Sequence, residues 1–136
     1  MNIQHVSIEY INQTWPFVEK FISDAIDNQV GEKDYTLDQV RLMVTSGQWL
    51  LLVAVKDKSV KGAAVVNFFN RPSHRVAFVM YIGGRLVCNH ETFSQLCEIL
   101  KAFGATKIEG AVNDAIARLW RRFGFTDKYR ITEVSI

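Results

Sequence analysis

The sequence lacks most of the features that mark a specialised class of protein. Its 136 residues include two cysteines, Cys88 and Cys97, and two prolines. Two cysteines are too few for a disulfide-stabilised scaffold and favour a reducing, cytoplasmic place of synthesis. No apolar run approaches the roughly 20 residues that span a bilayer, and the first residues lack the basic-then-apolar order of a secretion signal. We therefore expect neither a membrane protein nor a disulfide-rich secreted domain.

A strong charge of one sign is also missing. The chain has 16 basic and 14 acidic residues, a net charge of +2, which does not favour a nucleic acid as a specific ligand. The charge is unevenly spread, with a net −3 over residues 1–60 and +5 over residues 61–136. This polarity suits contacts between unlike surfaces, such as those of two copies, although chance explains it equally well. No cluster of His, Cys or Asp has metal-ligand spacing, and no Walker A loop or dinucleotide fingerprint is present.

What the sequence does contain is the periodicity of one globular domain, residues 1–136. Apolar residues make up 49% of it. Alternating and helical apolar patterns predict the order β-α-α-β-β-β-α-β-α-β, an α/β (α+β sandwich) fold with a mixed, mostly antiparallel sheet. The central strands are expected to form a meander, and the continuous apolar run 49–55 to be covered on both faces. The predicted strands are 3–11, 49–55, 62–69, 75–81, 107–112 and 129–136, and the predicted helices start near 15, 37, 90 and 116.

Capping residues and inward-facing positions support these helices. Thr14, Thr36 and Asn89 are predicted N-caps, with Gln39 completing a capping box, and Gly104 and Gly124 are predicted stops. The residues expected to face inward are Phe17, Phe21, Ile22, Ala25 and Ile26 in the first helix, Leu37, Val40, Met43 and Val44 in the second, and Phe93, Leu96, Cys97 and Leu100 in the third.

The segment Asn113–Phe125 carries the most specific motif. Its apolar stripe is followed by a glycine and a last strand. It resembles the C-terminal signature of the GNAT (general N-acetyltransferase) superfamily, N-x-x-A-x-x-L-Y-x-x-x-G-F, with Asn113, Leu119, Gly124 and Phe125 in register. Trp120 stands where that signature has tyrosine. The order of the predicted elements resembles the GNAT fold along the whole chain.

The resemblance implies a site for acetyl-CoA in a splay between strands 75–82 and 107–112, with Met80, Ile82 and Asn113 as cofactor-binding residues. The family holds the pyrophosphate on amides of a loop R/Q-x-x-G-x-G/A at the following helix. Here that junction reads GGRLVCNH over residues 83–90. If Arg85 is taken as the first residue of the motif, Cys88 and His90 fall at its two glycine positions. The loop therefore departs from the family pattern.

The catalytic groups depart from the pattern as well. The family tyrosine protonates the leaving thiolate, whereas the indole of Trp120 has no usable acidity near neutrality. Glu109, His74 and His90 are the available general bases. Each also has a structural interpretation: Glu109 as a surface residue of a strand, His74 as part of a hairpin turn, and His90 as a helix-start residue. Glu109 remains the one candidate catalytic residue, and acetyl-CoA is the cofactor only if the protein is active.

A basic stripe accompanies the signature helix. It consists of Arg118, Arg121 and Arg122. Three interpretations are open: a solvated helix face, contact with carboxylates of a protein partner, or contact with phosphates.

The chain also resembles small GNAT-like proteins of tailed bacteriophages, in which the catalytic motif is often degenerate. The segments that carry this resemblance are Tyr81–Gly84, Gly104–Gly110 and Arg118–Phe125. This resemblance implies an interaction or virion-associated component, with copies of itself or virion proteins as partners, made in the host cytoplasm. The alternative is an active N-acetyltransferase acting on a small amine or a protein amine.

Overall fold

The computed structural model describes all residues, Met1–Ile136, and contains five strands and four α-helices. The strands are β1 (Asn2–His5), β2 (Leu50–Lys56), β3 (Ser59–Arg71), β4 (His74–Gly84) and β5 (Lys107–Gly110). The helices are α1 (Ile11–Asp27), α2 (Leu37–Thr45), α3 (His90–Ala102) and α4 (Asp114–Arg121), and a short 3-10 turn, Ile8–Tyr10, precedes α1.

The strands form one sheet in the order β1-β2-β3-β4-β5. The first three pairings are antiparallel, and β4 pairs with β5 in parallel through the α3 crossover. The predicted fold class and the central meander are therefore confirmed. None of the helices has both the length and the apolar character needed to cross a membrane.

Two hydrophobic clusters lie on opposite faces of the sheet. Leu51 and Val53 point into the cluster covered by α1 and α2, whereas Leu50 and Leu52 point into the cluster covered by α3 and α4. All four side chains are buried. This alternation explains why β2 is a continuous apolar run, since a strand covered on both faces needs apolar residues at every position.

Two predicted helix starts and two glycine stops are confirmed. Thr36 and Gln39 form a reciprocal capping box at α2, and Asn89 accepts a hydrogen bond from the Thr92 amide at the start of α3. Gly104 and Gly124 follow their helices with φ of 89° and 93°, the left-handed region that glycine enters at little cost.

The prediction for the N-terminal region was wrong in its boundaries. The first strand ends at His5, and α1 begins at Ile11 rather than after Thr14, whose hydroxyl donates to the Tyr10 carbonyl. The buried face was also misjudged, because the apolar stripe at helical spacing includes the three additional residues Ile11, Trp15 and Val18. Phe17 is 66% exposed, and the buried residues of α1 are Ile11, Trp15, Val18, Ile22 and Ile26.

The predicted final strand, Tyr129–Ile136, is not formed. The sheet ends at β5, and no residue after Phe125 makes a backbone hydrogen bond. A strand exists through its pairing with a neighbour, and residues 129–136 have none in this chain. The strand predicted over 107–112 is also shorter, because its pairing with β4 stops at Gly110.

Candidate functional site

The site begins with an irregularity in β4. Val65 lies opposite Tyr81, whereas the next residue of β3, Val66, lies opposite Val79. Met80 is therefore an extra residue, a β-bulge in β4. Bulges bend a strand and increase its local twist, and they are common beside functional sites.

The bulge coincides with the point at which β4 and β5 separate. Their parallel pairing runs from Val76 with Lys107 to Val79 with Gly110 and goes no further. Past that point a cleft of about 1470 Å³ opens between the strands. Met80, Ile82 and Asn113, the residues that the GNAT resemblance implies for the cofactor, all line this cleft, as do Glu109 and Trp120.

Trp120 forms part of the floor of the cleft. It is 6% exposed, belongs to the cluster under α3 and α4, and packs its ring 4.7 Å from that of Phe125. Its indole nitrogen makes no hydrogen bond within the chain, and since no buried side-chain nitrogen lacks a partner, this atom reaches solvent. The role that the geometry shows for Trp120 is therefore packing.

Asn113, like Trp120, has a structural role. Its side-chain oxygen accepts a hydrogen bond of 3.0 Å from the Ile116 amide, so it is the N-cap of α4. An N-cap asparagine satisfies one of the free amides of the first helical turn. The asparagine of the signature thus has a structural function here, at a position that also faces the cleft.

The turn between β4 and α3 is separate from the cleft. The Arg85 amide donates to the Lys61 carbonyl at 2.8 Å, and the amides of Cys88 and Asn89 both donate to the Thr92 hydroxyl, at 3.0 and 3.2 Å. The Thr92 amide is in turn bound by Asn89. The amides of Leu86, Val87, His90 and Glu91 have no hydrogen-bond partner within the chain, and none of these four residues lines the cleft.

The glycines that precede this turn serve close packing. A Cβ atom at Gly83 would meet the backbone of Phe21 in α1, and one at Gly84 would meet the Lys61 carbonyl and the Phe21 ring. Gly84 also has a φ of 68°. Both glycines are therefore needed where β4 passes α1 and β3, and neither is placed at the helix start where a phosphate would approach.

Glu109 faces the cleft as the central residue of an ion-pair network. Its carboxylate accepts two hydrogen bonds from the Arg71 guanidinium, at 2.5 and 3.0 Å, and one from Lys128 at 3.3 Å. The hydrogen bonds from Arg71 and the charge of Lys128 lower the pKa of Glu109, although its partial burial opposes them. A carboxylate held by two cations is a weak base, so its contacts favour the structural interpretation.

The two histidine candidates lie elsewhere. His74 is at the start of β4, where its ring is 3.2 Å from the Thr106 hydroxyl, and His90 packs edge-on against Phe123. Neither lines the cleft. No group of three His, Cys, Asp or Glu side chains is placed to hold a metal ion.

Sequence reasoning missed Tyr81, which lines the cleft directly after the bulge. Its hydroxyl donates to the Gln29 side chain at 3.2 Å, and Gln29 in turn contacts Asp34. Burial, together with the nearby Asp34 charge, raises the pKa of Tyr81. Its position at the end of an apolar strand gave no signal, because a tyrosine there is typical of an ordinary core.

The arginine stripe lies on the exposed face of α4. Arg118, Arg121 and Arg122 are all exposed, and only Arg121 forms an ion pair, at 3.2 Å from Asp127. Arg118 and Arg122 make no salt bridge within the chain. The stripe presents two free guanidinium groups on the outer face of the same helix whose inner face carries Trp120.

Comparison with solved structures identifies this architecture. The fold matches the tetramutant of the BH1408 protein from Bacillus halodurans (TM-score 0.70, 13% identity, all of both chains). It also matches a predicted acetyltransferase with acetyl-CoA from Clostridium acetobutylicum (TM-score 0.65, 12% identity, 98% of this chain and 95% of that one). A third match is a ribosomal-protein-alanine N-acetyltransferase from Brucella melitensis biovar Abortus 2308 (TM-score 0.68, 10% identity, all of both chains).

The fold is that of the GNAT acetyltransferases. At these identities the likeness concerns the fold, and function has to be argued from the site. No protein-family model matches the sequence, and comparison with curated proteins finds no match.

Proposed function

We propose that this chain uses the GNAT fold as a protein-interaction component and that its cleft does not support acetyl transfer. The observation that carries the proposal is the state of Glu109, the one candidate base, whose carboxylate is held by Arg71 and Lys128. The turn before α3 adds to it, because the amides of Cys88 and Asn89 donate to the Thr92 hydroxyl and a diphosphate that used them would have to displace hydrogen bonds of the helix start. Only the amides of Leu86, Val87, His90 and Glu91 are free at this junction.

The catalytic groups support the same conclusion. Acyl transfer to an amine needs a base for the amine and a proton donor for the leaving thiolate. In the cleft, Glu109 is bound by two cations and Trp120 offers only an indole.

The exposed arginines supply the surface for a partner. Guanidinium groups bind carboxylates in a fixed bidentate geometry, so a surface with Arg118 and Arg122 unpaired suits an acidic patch on a protein. Following the resemblance to phage-encoded GNAT-like proteins, we propose that this patch belongs to a virion protein, with the head-to-tail junction as one site of assembly.

Calorimetry with acetyl-CoA tests the cleft. We expect no saturable heat and no rise in the melting temperature, since a ligand that binds only the folded state would stabilise it. Micromolar binding together with turnover on any amine would overturn the proposal.

A separate experiment tests the partner surface, and it depends on which organism or virus is the source of the gene. If that source is a tailed bacteriophage, mass spectrometry of purified particles is expected to detect the chain, and the double variant Arg118→Glu/Arg122→Glu is expected to be lost from the particles. Absence of the wild-type chain from particles would contradict the virion assignment.

A second candidate function, an acetyl-CoA-dependent N-acetyltransferase, is favoured by one observation: the bulge at Met80 and the open cleft beside it. Under this alternative Tyr81 is the proton donor, because its phenol lines the cleft and a raised pKa keeps it protonated. The alternative predicts saturable acetyl-CoA binding and a rate that falls in Tyr81→Phe.

A further inference from the structure

Strand β1 forms the edge of the sheet opposite β5, and its pairing with β2 decides which of its backbone groups face outward. The Val6 amide donates to the Leu51 carbonyl at 3.0 Å, so the backbone of Val6 faces β2. In an antiparallel pair, alternate residues direct their N–H and C=O groups towards the neighbouring strand and away from it. Ile3 and His5 therefore direct these groups away from β2, as does the carbonyl of Met1. Outward groups of this kind are a template for a further strand.

One side chain of α3 binds two of these outward groups. The Oε1 atom of Gln95 accepts a hydrogen bond of 2.7 Å from the Ile3 amide, and its Nε2 atom donates to the Met1 carbonyl at 3.4 Å. A glutamine side chain ends in an amide, which carries a donor and an acceptor as a peptide group does. A residue of an added parallel strand would donate to the same carbonyl and accept from the same N–H. Gln95 therefore takes the place of one residue of a neighbouring strand.

Core packing fixes the position of Gln95 beside this edge. Ile3 is 7% exposed and lies in the same hydrophobic cluster as Leu96, the residue that follows Gln95 in α3. Burial of the Leu96 side chain thus holds α3 against β1 with Gln95 at the rim of the sheet. Farther along the edge, Phe103 packs edge-on against the ring of His5, with 5.2 Å between the ring centroids. The helix and the residue that follows it cover the edge at both ends.

We propose that Gln95 closes the β1 edge to strand addition, and that without its amide a strand of a second copy of this chain pairs there. A strand that left Gln95 in place would find only the carbonyls of Ile3 and His5 and the His5 amide, which is less than an ordinary strand pairing offers. Displacement of Gln95 exchanges one pair of hydrogen bonds for another and gives the incoming strand no gain. This closure uses neither the cleft nor the arginine stripe, so it does not depend on the proposed function.

Amide hydrogen exchange of the wild-type chain tests the contact without any substitution. Ile3 and His5 both direct their amides away from β2, and the Ile3 amide has the Gln95 side chain as its acceptor. After correction for intrinsic rates, we expect the Ile3 amide to exchange several-fold more slowly than the His5 amide. Equal exchange at the two positions would show that Gln95 does not occupy the edge.

Light scattering of the full chain over a range of concentrations tests the closure itself. Gln95→Met keeps the length of the side chain but removes both hydrogen bonds, and its mass is expected to rise with concentration above that of wild type. Gln95→Glu retains an acceptor for the Ile3 amide and places a charge at the edge, so it is expected to keep the wild-type mass. Circular dichroism verifies that both variants are folded.

The matched control is Glu98→Met, which places the same apolar side chain at an exposed position of α3. It is expected to keep the wild-type mass at every concentration, because Glu98 makes no hydrogen bond to β1. A folded Gln95→Met variant that also keeps the wild-type mass, or a Glu98→Met variant that associates as strongly, would overturn the inference.

Discussion

The ring of Trp120 lies directly against the backbone of Gly110. A Cβ atom added to Gly110 would stand 2.9 Å from two ring carbons, Cζ3 and Cη2, closer than real Cβ contacts come. Gly110 is the last residue of β5 that pairs with β4, so the ring supports the sheet at the point where the two strands separate. The glycine and the tryptophan are complementary in shape, and this contact gives the Trp120 ring a structural role that does not involve catalysis.

The first prediction concerns this contact. Gly110→Ala is expected to destabilise the protein by about 1–3 kcal/mol, because the added methyl group overpacks a rigid aromatic neighbour. In a Trp120→Phe background the same substitution is expected to cost less, since the smaller ring leaves space for the methyl group. Urea denaturation of the two single variants and the double variant measures the coupling. If the changes in unfolding free energy are additive, Gly110 and Trp120 are not energetically coupled.

The second prediction concerns the family position of Trp120. Trp120→Tyr restores the phenol that the GNAT signature has, yet we expect no acetyl transfer, because Glu109 remains held by Arg71 and Lys128 and is a weak base. The variant is expected to lose about 1–3 kcal/mol of stability, and Trp120→Ala about 3–5 kcal/mol, from the cavity each leaves. Release of free CoA thiol from acetyl-CoA in the presence of amines measures the activity. Turnover in Trp120→Tyr would mean that the absence of the phenol is the only reason why the wild-type chain does not transfer acetyl groups.

The elements that the sequence predicted correctly are those whose signals are local. The capping box of Thr36 with Gln39 and the stop at Gly104 depend on residues a few positions apart. The meander also followed from turns and alternation. The strand over 129–136 failed because composition shows which residues suit a strand but not whether a neighbour pairs with them, and in the structure these residues pair with none.

The site was predictable only in part, for a related reason. Met80, Ile82 and Asn113 line the cleft, and the cofactor-binding role that the resemblance implies for them stays a prediction. The bulge that opens it was not visible, because one extra residue in β4 shows only in its register against β3. Nor was Thr92 recognised as the reciprocal partner of the predicted cap Asn89, although it follows Asn89 by the three residues of a capping box.

The third prediction follows from that cap. Thr92 is 2% exposed, and its hydroxyl accepts hydrogen bonds from the amides of Cys88 and Asn89. Thr92→Val keeps the shape but leaves both amides without this acceptor, so we expect a loss of about 1–3 kcal/mol. Thr92→Ser retains the hydroxyl and is expected to remain closer to wild type. Chemical denaturation compares the two, and equal losses would show that the methyl group of Thr92 matters more than its oxygen.

The fourth prediction concerns the pH dependence that Glu109 contributes. Because Arg71 and Lys128 lower the pKa of Glu109 in the folded protein, its carboxylate stabilises the fold at pH values above its unfolded pKa of about 4.5. This contribution is lost as the pH falls through the lower, folded pKa. Glu109→Gln is therefore expected to melt at a lower temperature than wild type at pH 7, by less than Trp120→Ala does.

The difference between Glu109→Gln and wild type is expected to shrink as the pH falls below about 4.5 and to vanish once Glu109 is protonated in both states. The matched control is Glu98→Gln, which removes an exposed carboxylate of α3 that forms no ion pair. Its melting temperature should follow that of wild type at every pH. A gap between Glu109→Gln and wild type that stays constant down to acidic pH would show that the ion pairs with Arg71 and Lys128 do not hold Glu109 ionised. Glu109 would then be free to act as a base, and the strongest argument against catalysis at this end of the cleft would fail.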